Sequence, residues 1–460
     1  MFQNKAQGSP QMEMYTQVSE SLAGFFPDCN PPATHLFSVE TGDAPLAGEG
    51  RARRWAGIDT PVPDAPAGIS NLHENLLAGV AKSANAPFLG RRPIVAGVPG
   101  AYVWETYAQV LARVSRVAHA INFLGLKNAN VGLFSINRPE WVIAEHACYM
   151  FGNVTVPLYD TLGHEAIEYI VHSTKTALVF ATADKAAKLV EIAKKIPSLK
   201  TIVLMDQGTT ELLSKSATAG VRMVLFSEME VMGEAHPAPT PKTGMDTVAT
   251  ICYTSGTTGM PKGVVLTHKN LLSFVAGQQY LSDRNASYKG TASDVHISYL
   301  PLAHIFERVV QAALTNWGGS IGFFQGDALK LLDDVAELKP TVFLSVPRLY
   351  NRIFDKINAG VKAKGGIAEY LFNRAYTAKK AYLKRGYQAH TLWDRLVFDK
   401  VKARLGGRVR FMCSGAAPIS SEIADFMRIC FGATWFEGYG QTETSAAAAM
   451  VFSNNVDSAR

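Results

Sequence analysis

The sequence predicts an α/β fold with two doubly wound, mostly parallel sheets and helices on the faces of each. Short apolar runs alternate with amphipathic stretches from about residue 75 onward, and this alternation favours parallel strands connected by helices. At 460 residues, the chain is longer than one ordinary core supports, so we expect two or three structural units. A polar stretch with scattered Gly and Pro at residues 207–247 is the predicted boundary between two of them.

The chain divides into three predicted parts. Residues 1–75 are rich in Pro, Gly, Ala and polar residues, which predicts an irregular N-terminal arm. Residues 76–245 are predicted to form a first α/β unit. Residues 246–460 are predicted to form a second α/β unit, which holds the ligand-binding loops and is incomplete at its C-terminal end.

In the first unit, apolar residues recur at spacings of three and four. They are Val110, Val114, Val117, Ile121 and Leu124, and this period predicts an amphipathic helix over residues 104–124. A second helix is predicted from Pro139, because proline is favourable in a first helical turn. The remaining predictions are strands at 131–135, 153–158, 177–180 and 201–204 and a helix at 185–196.

The second unit repeats this alternation after the boundary. Apolar, β-branched runs predict its strands, at 248–252, 264–266, 296–301, 341–346, 409–413 and 434–436. Helices are predicted at 305–317, 351–405 and 420–431.

Composition excludes several classes of protein. Five cysteines without a C-x-x-C pair indicate neither a disulfide framework nor a zinc site. The net charge is +6, and we interpret the basic residues as dispersed, with Arg51-Ala52-Arg53-Arg54 as a solvated loop, so no nucleic-acid partner is expected. The N-terminus has no apolar signal region, and about 18 consecutive apolar residues occur nowhere. An intracellular protein is expected, and any membrane association would be peripheral.

A loop rich in glycine and hydroxyl groups follows the predicted strand 248–252. Its backbone N–H groups can form an anion-binding nest, and its lysine adds a positive charge where phosphate oxygens would lie. Pro261 and Gly263 on either side of that lysine exclude the Walker A pattern. With the returning strand 264–266, the loop is predicted to be a hairpin tip. The predicted phosphate-binding residues are Thr254, Ser255, Gly256, Thr257, Thr258, Gly259 and Lys262.

Three loops follow predicted strand ends, at residues 254–263, 414–418 and 437–444. Ligands of open α/β sheets bind at the carboxyl ends of strands, so the three loops are expected to converge. The second loop, with Gly415, Ala416 and Ala417, lets a flat ring approach the backbone. The third supplies an aromatic ring, a hydroxyl and a carboxylate. Carboxylate and phosphate oxygens suit Mg²⁺, so the loops predict a Mg-ATP site.

Four blocks of sequence resemble the adenylate-forming superfamily of acyl- and aryl-CoA synthetases, adenylation domains and luciferases. They are residues 253–263, 300–304, 414–418 and 438–443. Two further blocks, at 137–141 and 156–163, resemble its eukaryotic-type long-chain fatty acyl-CoA synthetases. The resemblance implies a two-step reaction, in which a fatty carboxylate and ATP give an acyl-adenylate and pyrophosphate, and CoA then displaces AMP.

The same resemblance implies roles for individual residues. Thr254 and Glu443 would hold Mg²⁺, and Lys262 within its loop would bind the β- and γ-phosphates. Tyr439, followed by Gly440, would stack on adenine beside residues 415–417, and Thr442 would contact the α-phosphate. His304 would border the acyl and adenylate pocket. The implied catalytic residues are therefore Lys262, Thr442, Glu443 and His304. Glu307 and Arg308 are interpreted as a surface ion pair and left out.

Two alternatives stay open. Members of the superfamily continue into a smaller C-terminal domain, and nothing in this sequence matches its hinge or its lysine. We therefore expect a chain truncated after the large N-terminal domain, and a non-catalytic nucleotide- or fatty-acid-binding protein is one alternative. Another carboxylic-acid adenylating enzyme is the second. The resemblance is compatible with the cytosolic face of the endoplasmic reticulum or of a peroxisome.

Overall fold

A computed structural model describes residues 38–40, 53–55, 61–254, 260–284, 289–385 and 387–451. Its strands are β1 (Ser38–Glu40), β2 (Arg53–Trp55), β3 (Pro87–Arg91), β4 (Ile94–Val95), β5 (Val98–Pro99), β6 (Val103–Thr106), β7 (Asn130–Phe134), β8 (Val154–Pro157), β9 (Leu178–Ala181), β10 (Thr201–Leu204), β11 (Arg222–Leu225), β12 (Val248–Thr254), β13 (Lys262–Thr267), β14 (Val295–Ser298), β15 (Ser320–Phe323), β16 (Val342–Ser345), β17 (Phe411–Ser414), β18 (Thr434–Tyr439) and β19 (Ala449–Val451).

The α-helices occupy most of the chain between these strands. They are α1 (Leu72–Ser83), α2 (Tyr107–Phe123), α3 (Pro139–Met150), α4 (His164–Ser173), α5 (Ala183–Ile192), α6 (Thr210–Thr218), α7 (Phe226–Ala235), α8 (His268–Arg284), α9 (Ile305–Trp317), α10 (Leu331–Leu338), α11 (Pro347–Lys364), α12 (Gly366–Leu383), α13 (Thr391–Trp393), α14 (Asp399–Lys402) and α15 (Ser421–Phe431). A π-helical turn, Asp394–Phe398, joins α13 to α14.

Two large sheets organise the described residues, which confirms the predicted fold class. The first has seven strands in the order β11-β10-β9-β7-β8-β12-β13, and the second has eight in the order β19-β18-β17-β16-β14-β15-β3-β6. The central strands are parallel, and β13, β19 and β6 pair antiparallel at the edges. Such sheets place the carboxyl ends of their parallel strands along one side, where ligand-binding loops collect.

The two sheets share one hydrophobic core. Residues of α2 and α3 pack in a single buried cluster with Val131 and Leu133 of β7 and with Leu89, Ile321 and Phe323 of the second sheet. The outer face of the first sheet packs against α4 and α5. The outer face of the second packs against α10, α11, α12 and α15. The sheets therefore form one packed body with helices between them.

Sheet membership does not follow the predicted boundary at residues 245 and 246. The hairpin β12–β13 completes the first sheet, although we predicted it in the second unit. Conversely, β3 and β6 belong to the second sheet, although they precede the boundary. The reason is physical: β12 pairs with β8 through Thr250 and Thr155, and such long-range pairing leaves no local signal.

The polar stretch at 207–247, the predicted boundary, contains regular structure, because α6, β11 and α7 lie inside it. Phe226 and Met229 of α7 are buried. Gly233 lets this helix cross α2 closely, since a Cβ there would lie 1.6 Å from the carbonyl oxygen of Arg116. The apolar face of α7 is short and interrupted by Ser and Glu, so the sequence of this segment looks like a polar loop and does not predict a helix.

The helix predicted over 104–124 begins later, at Tyr107. Thr106 ends β6 and caps the helix: its hydroxyl oxygen accepts from the Gln109 N–H, and the Gln109 side chain accepts from the Thr106 N–H. This reciprocal capping box fixes the start of a helix. Within the helix, Val110, Val114, Val117 and Ile121 are buried as predicted.

Candidate functional site

The hairpin β12–β13 carries the predicted phosphate-binding loop. Thr254 lies opposite Lys262 in the antiparallel register, and Lys262 is exposed. Glycine at position 263 avoids a steric clash, since a Cβ there would lie 2.9 Å from Ile251 Cγ2. Tyr253 anchors the strand through a 2.9 Å hydrogen bond between its hydroxyl and that of Ser173. The predicted tip residues lie outside the described residues: Ser255, Gly256, Thr257, Thr258 and Gly259.

The second predicted loop begins where β17 ends. Ser414 and Gly415 are buried, whereas Ala416 and Ala417 are exposed. Ala416 has a φ of 68°, a left-handed conformation that a non-glycine residue adopts at a cost in free energy. Ser414 Oγ is a buried polar atom with no hydrogen-bond partner among the described residues. Strain and an unsatisfied group beside exposed backbone are typical of a ligand-binding position.

The third predicted loop is a tight turn after β18. Tyr439 ends the strand with 78 % of its surface exposed. Only glycine fits at position 440, because a Cβ there would lie 1.5 Å from the carbonyl oxygen of Ala446. Ser445 and Ala446 both have left-handed backbones, with φ of 52° and 80°. Between these points, a 3₁₀ turn over Thr442–Thr444 presents the exposed Glu443 side chain.

The described parts of these loops lie close together, as we predicted from their positions after the ends of strands. A Cβ at Gly415 would lie 3.7 Å from the Gly438 carbonyl oxygen, so the second and third loops are neighbours. The turn Thr442–Thr444 contacts β13. Ala446 and Val264 of β13 pack on one hydrophobic cluster, which also contains Ile305 at the start of α9. The hairpin, both loops and the first turn of α9 therefore border one region.

His304 caps α9 beside this region. Its Nδ1 accepts a hydrogen bond of 3.2 Å from the Phe306 N–H, so in the neutral ring Nε2 carries the proton. Burial lowers the pKa of His304 below its ordinary value, although Glu307 opposes that effect. Phe306 in turn lies against the second loop, 3.5 Å from the position of a Cβ at Gly415. His304 therefore offers an N–H donor near the convergent loops at neutral pH.

Asn137 holds the segment that precedes His304. Its Nδ2 donates to Ser298 Oγ at 2.9 Å and to the Leu300 carbonyl at 2.7 Å, and its Oδ1 accepts from the Leu302 N–H at 3.0 Å. Asn137 is buried and follows a strand of the first sheet, whereas its partners belong to the second. Sequence reasoning used Asn137 only within a resemblance block, because its partners lie more than 160 residues away.

Glu307 and Arg308 are buried, which corrects their interpretation as a surface ion pair. Glu307 contacts His296 Nε2 at 3.0 Å. Arg308 Nε donates to Glu145 Oε1 at 2.7 Å, and its Nη1 donates to Thr250 Oγ1 at 2.8 Å. Burial opposes the charge of Arg308, but Glu145 more than offsets this, and the pKa of Arg308 lies above its ordinary value. Arg308 therefore links α9 to the strand that carries the phosphate-binding loop.

The arrangement fits a magnesium ion held partly by phosphate. Within the described residues, no group of three or more His, Cys, Asp or Glu could hold a metal alone. Thr254 faces Lys262 in the hairpin, and the turn that carries Glu443 packs against that hairpin strand. Mg²⁺ is usually bound through one or two carboxylates together with substrate phosphates. One hydroxyl and one carboxylate at the same site match that requirement.

An apolar cavity adjoins the convergent loops, and sequence reasoning did not predict it. Its volume is about 70 Å³, and it lies between α8, α9 and the strands of the second sheet. Phe306, Val310, Ala313, Leu314 and Trp317 form its α9 wall, and Gly438 and Ala447 border it from the third loop. The sequence predicted a helix over residues 305–317, but it gave no sign of the cavity beside that helix.

The two-sheet α/β fold is shared with the large N-terminal domain of adenylate-forming enzymes of known structure. Among solved structures, the chain is similar to the adenylation domain of a carboxylate reductase from Mycobacterium chelonae, with a TM-score of 0.69, 18% identity and coverage of 98% of this chain and 66% of that one. It is also similar to a Mycobacterium tuberculosis fatty acyl CoA synthetase, with a TM-score of 0.58, 18% identity and coverage of 84% and 62%. At such identities these likenesses show the fold alone.

Residues 80–460 match the AMP-binding enzyme family model, and the chain belongs to that family. It is 46% identical over 384 residues to long chain acyl-CoA synthetase 6, peroxisomal, of Arabidopsis thaliana. The aligned residues cover 83% of this chain and 54% of the relative. It is 41% identical over 415 residues to human long-chain-fatty-acid–CoA ligase 1, which covers 88% and 58%. The chain thus spans little more than half the length of these relatives.

Proposed function

We propose that this chain provides the nucleotide- and acyl-binding part of a long-chain fatty acid–CoA ligase. The reaction joins a fatty acid to ATP, which gives an acyl-adenylate and pyrophosphate, and CoA then displaces AMP to give acyl-CoA. The observation that carries the proposal is the convergence of three strand-end loops beside an apolar cavity. The names of the relatives, long-chain acyl-CoA synthetases and ligases, support the same substrate class.

The proposed first step requires two anions to approach each other. Lys262 would bind phosphate oxygens, and its exposed ammonium has no ion-pair partner among the described residues. Thr442 would donate to the α-phosphate from the turn beside the hairpin. Preorganised donors of this kind stabilise charge that develops in a transition state. Mg²⁺ held by Thr254 and Glu443 would neutralise further phosphate charge. Tyr439 would cover adenine beside residues 415–417.

The cavity beside α9 is the proposed acyl site. Its wall follows α9 from Phe306 to Trp317, about 16 Å along the helix axis at about 1.5 Å per residue. Its volume of about 70 Å³ is well below the roughly 300–1,000 Å³ of ordinary ligand pockets. A long acyl chain would therefore enter only if side chains such as Phe274 and Met450 move. Both line the cavity from elements outside the sheet centre.

The other proposed partners follow from the same function. CoA is the acceptor in the second step, and no residue is assigned to it. Among the described helices, none combines the length and hydropathy of a bilayer-spanning segment, so the membrane contact that we propose is peripheral. An intracellular site at the cytosolic face of the endoplasmic reticulum or a peroxisome would give access to long-chain acids, and one relative is named as peroxisomal.

A panel of non-hydrolysable acyl-adenylate analogues tests the substrate class. Equilibrium binding would be compared for C16, C8 and benzoyl analogues and for AMP. Burying one methylene contributes about 0.8 kcal/mol, but ordering the chain opposes this, so we expect C16 to bind roughly two to three orders of magnitude more tightly than C8. A benzoyl preference or a flat profile would contradict the long-chain proposal.

A second measurement separates an enzyme from a binding protein. Palmitate-dependent exchange of labelled pyrophosphate into ATP reports the first chemical step directly. Exchange above background supports adenylation by this chain. The contrasting result is tight binding of the C16 analogue with no exchange, even after a separately purified C-terminal domain from a relative is added. That result would favour the non-catalytic alternative.

A further inference from the structure

Residues 347–408 hold a concentration of positive charge that the chain as a whole does not show. This segment contains fifteen Lys and Arg but four Asp and Glu, a net charge of +11 against +6 for the whole chain. The remainder is therefore net acidic. The expectation of dispersed basic residues is wrong for this segment, which comprises α11 to α14 and the turns between them.

The helix α12 has two opposite faces. Its inner face is buried against the second sheet's helix layer, through Phe372, Ala375, Lys379 and Leu383. Its outer face, on the other side of the helical wheel, carries large apolar side chains in the open. Ile367 is 79% exposed and Tyr370 is 62% exposed. Amphipathic packing explains the inner face but leaves the outer one without a partner in the described residues.

A second group of exposed apolar side chains follows the end of α12. The ring of Tyr382 lies 4.5 Å from that of His390, which precedes α13. Leu392 and Leu396 then project with 57% and 55% of their surfaces exposed. Their spacing of four places both on one side of the helical segment. Exposed apolar side chains therefore occur on α12 and again on α13 and the π-helical turn Asp394–Phe398, and that turn packs against α12.

Basic side chains lie among these apolar residues, and two of the three carboxylates on α12 and the segment after it are paired with lysines. Arg374, Arg385 and Arg395 are exposed. Asp394 turns inward to Lys379 Nζ at 2.5 Å and is only 13% exposed. Asp399 pairs with Lys402 at 3.4 Å. The outward electrostatic potential is consequently positive, and a positively charged rim around exposed apolar residues selects a partner that is both apolar and anionic.

We propose that the outer face of α12, α13 and the turn Asp394–Phe398 is a docking surface for an anionic lipid bilayer. Ile367, Tyr370, Leu392 and Leu396 would enter the headgroup region, while the arginines contact lipid phosphates and carboxylates. Helices with this composition lie in the plane of the interface. A protein partner of ordinary composition would leave the basic rim unpaired, which is why the bilayer is favoured. The surface carries none of the proposed nucleotide-binding residues.

Vesicle co-sedimentation of the 460-residue chain tests the proposal. We expect binding to phosphatidylcholine vesicles that contain phosphatidylserine, loss of binding to pure phosphatidylcholine, and weakening as salt is raised. The charge variant Arg374→Glu/Arg385→Glu/Arg395→Glu should weaken binding by more than a hundredfold, since each basic residue near an anionic surface contributes roughly a fivefold factor. The apolar variant Leu392→Ser/Leu396→Ser should weaken it by at least tenfold.

Matched controls lie elsewhere on the molecule. Lys127→Glu/Lys200→Glu reverses two exposed charges, and Val231→Ser removes a side chain that is 67% exposed. Both should bind vesicles like the unaltered chain. Thermal melting and acyl-adenylate analogue binding would confirm that all variants are folded, so failure here is separable from failure of the proposed function. The proposal would be overturned if every variant bound vesicles equally or if the chain did not bind vesicles at all. It would also be overturned if the chain formed a dimer that the Leu392→Ser/Leu396→Ser variant abolishes.

Discussion

Lys262 begins β13, the strand that the turn Thr442–Thr444 contacts. It is exposed and opposite Thr254 in the register. Because a hydrogen bond to a charged group contributes about 1.5–3 kcal/mol, Lys262→Ala should weaken ATP binding by one to two orders of magnitude. Isothermal titration with ATP and Mg²⁺ measures this. Lys269→Ala is the matched control, since Lys269 pairs with Asp64 instead; equal affinity in the two variants would remove Lys262 from the site.

Glu443 is the proposed carboxylate for magnesium. Replacing Glu443 with Gln keeps the shape of the side chain and removes its charge, so ATP binding should require a higher Mg²⁺ concentration. Because Glu443 is exposed, the free energy of unfolding should change little. Titration of Mg²⁺ at fixed ATP checks the first point and chemical unfolding the second. A stability loss with an unchanged Mg²⁺ curve would show that Glu443 is structural.

Arg308 is a buried cation whose partners come from three elements. It contacts Glu145 and Tyr149 of α3, Thr155 of β8 and Thr250 of β12. Removal of one member of a buried pair leaves an uncompensated charge and costs about 3–5 kcal/mol. We therefore expect that destabilisation for Arg308→Met in urea unfolding, with substantial recovery in Arg308→Met/Glu145→Leu. If the double variant is as unstable as the sum of the singles, the ion pair is not the cause.

At the scale of elements, the sequence predicted what local pattern determines. The period of α2, the hairpin around Lys262 and the strand before Gly415 all carry local signals of spacing, turn residues and β-branching. Helix α7 was missed because its buried face is short and depends on close contact at Gly233 with α2. The start of α2 was misplaced because the capping residue Thr106 also ends a strand.

Pairing between distant elements could not be predicted. The hairpin joins the first sheet where Thr250 of β12 pairs with Thr155 of β8. Arg308 was interpreted as a surface residue because its partners lie 56 to 163 residues away. Helix α9 was predicted, but the cavity beside it depends on how closely α8 and the sheet approach. Such distances follow from tertiary packing, and no pattern in a short window of sequence predicts them.

Two buried histidines make the helices α3 and α8 sensitive to acid. Burial lowers the pKa of His146 to about 3 and that of His268 to about 4, from an ordinary value of 6.5. In the unfolded chain both titrate near 6.5, so below that pH the unfolded state binds more protons. Their contribution to stability is fully present above pH 6.5 and is lost as pH falls towards 4 and 3.

Urea unfolding between neutral and mildly acidic pH measures this dependence. His146→Gln should flatten the pH slope by up to about 1.4 kcal/mol per pH unit, the value for one proton. His164→Gln is the control for loss of an imidazole at the surface, because the His164 side chain is 51% exposed. An identical slope for the two variants would mean that His146 does not titrate on unfolding.

For the whole molecule, the shared core of the two sheets is what brings the loops together. The hairpin comes from the first sheet and the loops after β17 and β18 come from the second, so neither sheet alone has a complete site. The central claim is that these three loops bind one ATP molecule, with adenine at Tyr439 and phosphates at Lys262. Membrane docking, substrate class and pH dependence can each fail without affecting it.

A crystal structure of the chain with ATP and Mg²⁺ tests that claim most directly. We predict electron density for adenine between Tyr439 and residues 415–417, with the phosphates within hydrogen-bond distance of Lys262 and the metal between Thr254 and Glu443. ATP bound elsewhere, such as in the groove between α5 and α6, would contradict the claim. So would the absence of nucleotide at the three loops when titration shows that the crystallised chain binds ATP.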